Sequence, residues 1–276
     1  MSAIDDKAID WLADVLQRAA VAEIMPRFRT LSPTDIRRKT SAVDLVTEAD
    51  ESAERMITAE LKQRFPQALV IGEEANEKDG SLLPTLPDAE LAFVIDPVDG
   101  TFNFASGVPL FGVMLSVVEK GETVAGLIYD PLGEDWLIGV KGAGSHIRVA
   151  DGSQAKVRVA DPAPVSQMTG GVSWSYLNEP LRFRLARNLA KCLANFNYRC
   201  AAHEYRLIAS GFGHFVAYNK LMPWDHLAGA LIHQEAGGYS AKFDGSEYRV
   251  GDLDGGLLAA PDRESWQEIR EALWSE

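Results

Sequence analysis

The sequence predicts a mixed α/β fold, on three observations. Apolar residues recur at helical spacing near the start, with Ile9, Leu12, Ala13, Leu16 and Ala20 on one stripe. The middle of the chain, "FGVMLSVVEKGETVAGLIYDP" and then "DWLIGV", reads as successive β-rich runs. From about Asp151 onward, strand-like and helix-like stretches alternate.

The first helix is expected from about Ile4 to Met25, ended by Pro26. "RTLSPTDIRRKTSAVD" is a polar loop with a short basic cluster. "TEADESAERMITAELKQRF" is a second helix: Thr47 is its N-cap, Asp50 stands three residues on, and Pro66 lies just past its end. "ALVIGEE" is a short strand finishing in acids, "ANEKDGSLLPTLPDAE" a loop, and "LAFVI" a buried strand. A hairpin turns at Lys120-Gly121, and "DWLIGV" adds a third strand to the meander. The "KGAGSH" glycines lack the ending of a phosphate loop and no helix follows them, so they read as a turn. Helices follow near Pro180–Leu193 and Ala201–Ser210, then a strand, a helix closed by Gly237-Gly238, another strand and a C-terminal helix. No repeat or low-complexity linker divides the chain, so residues 1–150 and 151–276 are expected to be halves of one unit.

The 276 residues suffice for a large core. A net charge of -13 argues against general binding to nucleic acid. It would also repel an anionic substrate unless cations were recruited locally, although solubility explains the same charge. Cys192 and Cys200 are the only cysteines, which excludes a disulfide scaffold and a thiolate zinc site and suits a reducing compartment. The first twenty residues carry acids where a signal peptide needs a basic and then apolar run, and no stretch is long and apolar enough for a membrane span. A cytoplasmic protein with no membrane association is the expectation.

Four acidic stretches place carboxylates at the edge of a regular element: "VDLVTEAD" with Asp44, "IGEE" with Glu73 and Glu74, "IDPVDGT" with Asp96 and Asp99, and "PWDHLAG" with Asp225. Taken singly, Asp225 also suits a helix cap, Asp44 a turn and Glu74 a solvated position. Asp96 and Asp99 are harder to place that way, because they follow an apolar run, where an unpaired carboxylate is costly. Pro97 biases Asp96 towards an extended backbone, and Gly100 permits a sharp turn that aims both acids at one point. Gly100-Thr101 can open a short helix whose N–H groups would seat a phosphate. Hard oxygen donors in such a cluster favour Mg²⁺ or Mn²⁺ over zinc.

These segments, in this order and spacing, resemble the inositol monophosphatase family. "DPVDGTFNF" is similar to its "DPxDGTxNF" signature, "VDLVTEAD" to its "DxVTxxD" segment, "GEE" to its acidic strand end, and "PWDHLAGALIHQEAGG" to its "WDxAAgxxlvxEAGG" segment. The resemblance runs from about Ile4 to Gly238. It implies a layered αβαβα sandwich, with an α+β N-terminal half carrying most ligands and an α/β C-terminal half. It further implies Mg²⁺-dependent hydrolysis of a small phosphorylated metabolite, with two to three ions, and usually a homodimer. Carried over by position, Glu73, Asp96 and the Val98 carbonyl would hold one ion, and Asp96, Asp99 and Asp225 a second. A third, weaker ion would also touch Glu73. Thr101, with Glu73, would orient the attacking water, Asp44 would hydrogen-bond Thr101, and Gly100 and Thr101 would bind phosphate.

Two positions depart from the family pattern. Tyr218 stands seven residues before Asp225, where relatives often carry a glutamate that contacts sugar hydroxyls. The "GSAA" segment reads "RCAA", which puts Arg199 in place of glycine, beside Ala201. Both changes fall in the substrate-recognition half. Among family substrates, inositol monophosphates, histidinol phosphate, fructose 1,6-bisphosphate and adenosine 3′,5′-bisphosphate therefore stay open, as does a metal-binding regulatory partner without physiological catalysis. The histidines match no ligand position and are expected to be structural. Arg199 suits either a pairing with Glu204 or anion binding, and the Arg37–Thr40 and Glu77–Glu90 segments are candidates to close over substrate.

Overall fold

Asp5 opens the first helix, α1 (Asp6–Ala19), by accepting the Ala8 N–H at 2.8 Å. The structure is a computed structural model and describes residues 4–41, 44–174 and 177–275; Val43, which begins the "VDLVTEAD" segment, lies outside them. The regular helix ends earlier than the sequence predicts. A π-helical turn at Ala20–Ile24 and a 3₁₀ turn at Met25–Arg27 replace its last part. Pro26 has no N–H to continue the ladder, and the turn before it widens. A two-stranded ribbon, β1 (Ile36–Arg38) antiparallel to β2 (Leu45–Thr47), then leads into α2 (Glu48–Arg64). Thr47 and Asp50 form the expected capping box at its start.

Seven strands build the first sheet in chain order: β3 (Leu69–Gly72), β4 (Ala92–Asp99), β5 (Gly112–Glu119), β6 (Glu122–Asp130), β7 (Asp135–Val140), β8 (Gly144–Val149) and β9 (Gln154–Lys156). Only β3 and β4 are parallel. The connection between them is not the loop expected. It holds α3 (Glu73–Lys78) and 3₁₀ turns over Gly80–Asp88, where Pro84 and Pro87 block an α-helix but tolerate the tighter winding. The β5–β6 hairpin turns at Lys120-Gly121, both at positive φ, as a two-residue loop requires. The "KGAGSH" glycines form the β7–β8 turn, held by Glu235, which accepts the Gly142 and Gly144 N–H groups.

The second sheet has five strands in the order β11-β10-β12-β14-β13: β10 (Thr169–Val172), β11 (Ala194–Phe196), β12 (Phe215–Tyr218), β13 (Tyr239–Lys242) and β14 (Leu257–Ala260). Between and after them run α5 (Leu181–Asn188), α6 (Ala201–Ala209), α7 (Pro223–Glu235) and α8 (Arg263–Trp274), and α4 (Thr101–Ala105) follows β4.

Strand alternation sorts these elements into five layers. Phe93, Ile95, Leu115, Leu127 and Ile138 face α1 and α2, whereas Met114, Ile128 and Leu137 on the opposite face meet α6 and α7. Val216 and Ala259 cover the other side of α6 and α7, and Phe215, Ala217, Leu258 and Ala260 turn outward to α5 and α8. This is the layered αβαβα sandwich that the resemblance implies. Every residue of β4 is buried, so Asp96 and Asp99 reach the site from inside the core. Among the described residues, no helix is long and apolar enough to cross a membrane.

Candidate metal and catalytic site

The C-terminal end of β4 delivers the central acids. Asp96 curls back to accept the Val98 N–H at 3.1 Å, which folds the "DPVD" segment into a tight turn, and the register with β5 shifts between Asp96 and Asp99. Gly100 then takes the left-handed φ of 86° that opens α4 at Thr101. Packing and side-chain hydrogen bonds anchor this helix. Phe104 lies against Phe28 and Phe111, and the Asn103 side-chain amide donates to the carbonyls of Leu110 and Tyr198.

Three carboxylates converge. Glu73 from the start of α3, Asp96 from β4 and Asp225 from the first turn of α7 place oxygens within 4.8 Å of one another. Burial raises the pKa of Asp96 well above its ordinary value, and Glu73, Asp99, Asp225 and Asp50 add to it by repulsion. Burial and the charges of Glu73 and Asp99 do the same to Asp225. Glu73 is raised by burial too, against the pull of Lys39. Uncompensated negative charge of this kind calls for a cation. The donors are all oxygens, and the nearby His226 turns instead to the Lys220 carbonyl. The set therefore fits a hard divalent ion.

Asp99 stands somewhat apart from those three. Its Oδ2 accepts the Ala202 N–H at 2.6 Å and the Cys200 thiol at 3.0 Å, so α6 holds this charge at its N-terminus. The Ala201 N–H adds to the same anchoring. A carboxylate has about four lone-pair sites, so these three donors leave capacity for a cation. The Val98 carbonyl oxygen lies 2.9 Å from Thr101 Oγ1 and keeps a lone pair for a cation.

The partner of Thr101 corrects the sequence reading. Thr101 Oγ1 donates to Asp50 at 2.9 Å, not to Asp44. Asp44 instead accepts from the backbone N–H and hydroxyl of Thr40, which closes its own turn, and adds its charge to the field around Glu73. Asp50 lies in the first turn of α2, whereas Asp44 precedes β2. Burial pushes Asp50 up to about 7.

Sequence reasoning also passed over Lys39. Its nearly buried ammonium reaches Glu73 at 3.0 Å, Glu74 at 2.7 Å and Glu77 at 2.9 Å. Burial acts to lower its pKa, but the charges of Glu73 and Glu74 override that and raise it. Glu74, expected to suit a solvated position, is buried and pushed up to about 8, first by burial and then by Glu73. The only sequence signal for Lys39 was its place in the basic cluster before "VDLVTEAD".

The substrate-half residues divide. Arg199 is exposed, in the left-handed region at φ 53°, with its guanidinium 3.8 Å from the centre of the Phe102 ring. That conformation is one which glycine adopts without a Cβ penalty. Ala201 is buried at the first position of α6. Tyr218 differs from expectation: it is 5% exposed, its ring tilted against those of Tyr205 and His226, with its hydroxyl buried near Glu204. It offers a substrate no hydroxyl in this arrangement. His203, His214, His226 and His233 each bond within the protein fabric, and none joins the acid cluster.

Against known proteins, the model of the inositol monophosphatase family matches residues 7–276. The chain belongs to the inositol monophosphatase family. Among curated members, it is 30% identical over 221 residues to a fructose-1,6-bisphosphatase/inositol-1-monophosphatase of Thermotoga maritima, covering 77% of each chain. It is 31% identical over 229 residues to a Nus factor SuhB of Pasteurella multocida, covering 81% of this chain and 80% of that one. Solved family members share the fold. A Thermotoga maritima IMPase superposes with a TM-score of 0.80 at 24% identity, over 96% of this chain and 98% of that one. Inositol monophosphatase-II of Staphylococcus aureus gives 0.82 at 19%, over 98% and 94%. The family is one of phosphatases whose members bind phosphorylated substrates and generally depend on metal.

Proposed function

We propose that this protein is a Mg²⁺-dependent phosphomonoesterase that hydrolyses a small sugar or polyol phosphate by direct attack of water. The convergence of Glu73, Asp96 and Asp225 supports the reading most strongly. Glu73, Asp96 and the Val98 carbonyl would hold one Mg²⁺, and Asp96, Asp99 and Asp225 a second; Mn²⁺ suits the same oxygens. When bound, such ions lower the pKa of a water and neutralise the leaving oxygen.

The chain's own groups do the rest. With its proton committed to Asp50, Thr101 would accept a hydrogen bond from the attacking water, which Glu73 would orient from the other side. The Gly100 and Thr101 N–H groups at the start of α4 would receive the phosphate oxygens. Phosphoryl transfer asks mainly for such positioning and for charge neutralisation. Arg199, beside α4 on Phe102, would meet a second anionic or hydroxyl-rich part of the substrate, next to Ala201 at the start of α6. Tyr218 would shape that wall from behind, through Glu204.

The test is phosphate release with Mg²⁺ from inositol 1-phosphate, histidinol phosphate, fructose 1,6-bisphosphate and adenosine 3′,5′-bisphosphate. Asp96→Asn should abolish release while the circular dichroism spectrum is kept. Full turnover in that variant would sink the reading. The SuhB relatives, named as Nus factors, support a second reading in which the chain acts through a protein partner. A wild-type protein that binds Mg²⁺ yet releases no phosphate from the panel would favour it. A homodimer, proposed from family resemblance, is checked by light scattering.

A further inference from the structure

Helix α3 begins with Glu73 and is preceded by Gly72, which has no side chain to cap it. The first N–H groups of a helix need acceptors, and a buried helix start without them is costly. The acceptor comes from another element. Glu54, on α2, reaches the end of β3 and accepts the Glu74 N–H through Oε2 and the Ala75 N–H through Oε1, both at 2.8 Å. Glu54 is 5% exposed and lies one helical turn beyond Asp50, on the same face. Gly72 leaves room for this arrangement. A Cβ there would fall 2.2 Å from the Glu54 carboxyl carbon, although the backbone, at φ -108°, would accept any residue. The glycine is therefore required by the approach of Glu54 and by nothing in its own conformation.

We infer that Glu54 is a positioning residue for Glu73: its carboxylate caps α3 from a neighbouring helix and so fixes where the first side chain of that helix points. This rests on the functional reading above. Helix α2 then holds both groups that orient water, Thr101 through Asp50 and Glu73 through Glu54. A residue that merely stabilised the fold would lower melting temperature without moving metal affinity. Glu54 is expected to move both, because Glu73 belongs to the metal cluster.

The experiment titrates Mn²⁺ calorimetrically into the full chain without substrate, alongside circular dichroism and phosphate-release kinetics. Glu54→Ala and Gly72→Ala should each weaken Mn²⁺ binding by about 10–100-fold, the usual loss for a residue that orients a ligand. Release should fall mainly in kcat. Because both changes break one contact, the double variant should bind no worse than the weaker single one. Glu54→Gln, which keeps one acceptor oxygen, should fall between wild type and Glu54→Ala, and it carries the comparison if Glu54→Ala does not fold. A folded Glu54 variant with the wild-type isotherm, or additive losses in the double variant, would overturn the inference. A wild-type protein that binds no Mn²⁺ would overturn the functional reading and this inference with it.

Discussion

Thr101 donates its hydroxyl to Asp50, 51 residues earlier in the chain, at 2.9 Å. Asp50 also accepts the Thr47 N–H and hydroxyl, so one buried carboxylate both caps α2 and aims the threonine. Thr101→Val keeps the shape and removes the hydroxyl. It should cut phosphate release by about 100–10,000-fold while the circular dichroism spectrum is kept. Asp44→Asn leaves the Thr101 contact intact and should cost far less. Equal losses in the two variants would contradict the assignment to Asp50.

Asp99 depends on α6 for its orientation. Cys200→Ser preserves a donor to its Oδ2 and should behave like wild type. Cys200→Ala removes the donor and should raise the Mg²⁺ concentration for half-maximal release by about 10-fold. Identical Mg²⁺ curves for the two variants would show that the thiol contributes nothing.

Protons and metal compete for the same carboxyls. Glu73, Asp96, Asp99 and Asp225 all have pKa values raised by burial in the metal-free protein. A carboxyl raised on folding contributes stability below its unfolded value, and that contribution is lost as pH climbs through the folded value. In EDTA the protein should therefore lose stability as pH climbs from the unfolded carboxyl range, about 4, through the raised folded values. Mg²⁺ binds the deprotonated form, so its stabilisation should grow over the same interval. Melting curves with and without Mg²⁺ read this directly, and a Mg²⁺ effect larger at the acid end would refute it.

Arg199 occupies a glycine position with glycine's backbone sign. Arg199→Gly relieves about 1 kcal/mol of left-handed strain and gives up a ring contact of similar size, so stability should scarcely change. KM should instead rise for substrates bearing a second anionic group, by about 10-fold for one lost charge-assisted bond. A uniform change across the substrate panel would place the guanidinium outside the substrate's reach.

Much of this was legible in the sequence because local chemistry decides it. The Thr47–Asp50 capping box, the Lys120-Gly121 turn and the bend after Asp96-Pro97 each follow from a few adjacent residues. Whether Asp44 or Asp50 faces Thr101 was not legible. Both flank the same short strand, and the choice depends on how α2 sits against β4. Glu54 and Lys39 were invisible for the same reason, since their partners lie 20 or more residues away in the chain. Tyr218 misled because its identity announces a hydroxyl, while the packing of Tyr205 and His226 around it decides where that hydroxyl goes.

Helix α7 lies between the two sheets and carries Asp225 at its opening turn, against acids presented by β4 and α3. A cation shared among them would act as a clasp between adjacent layers. Chelation should then be felt far from the ion, as faster amide exchange through α7 and into β12 and β14, on the opposite side of the helix from the chemistry.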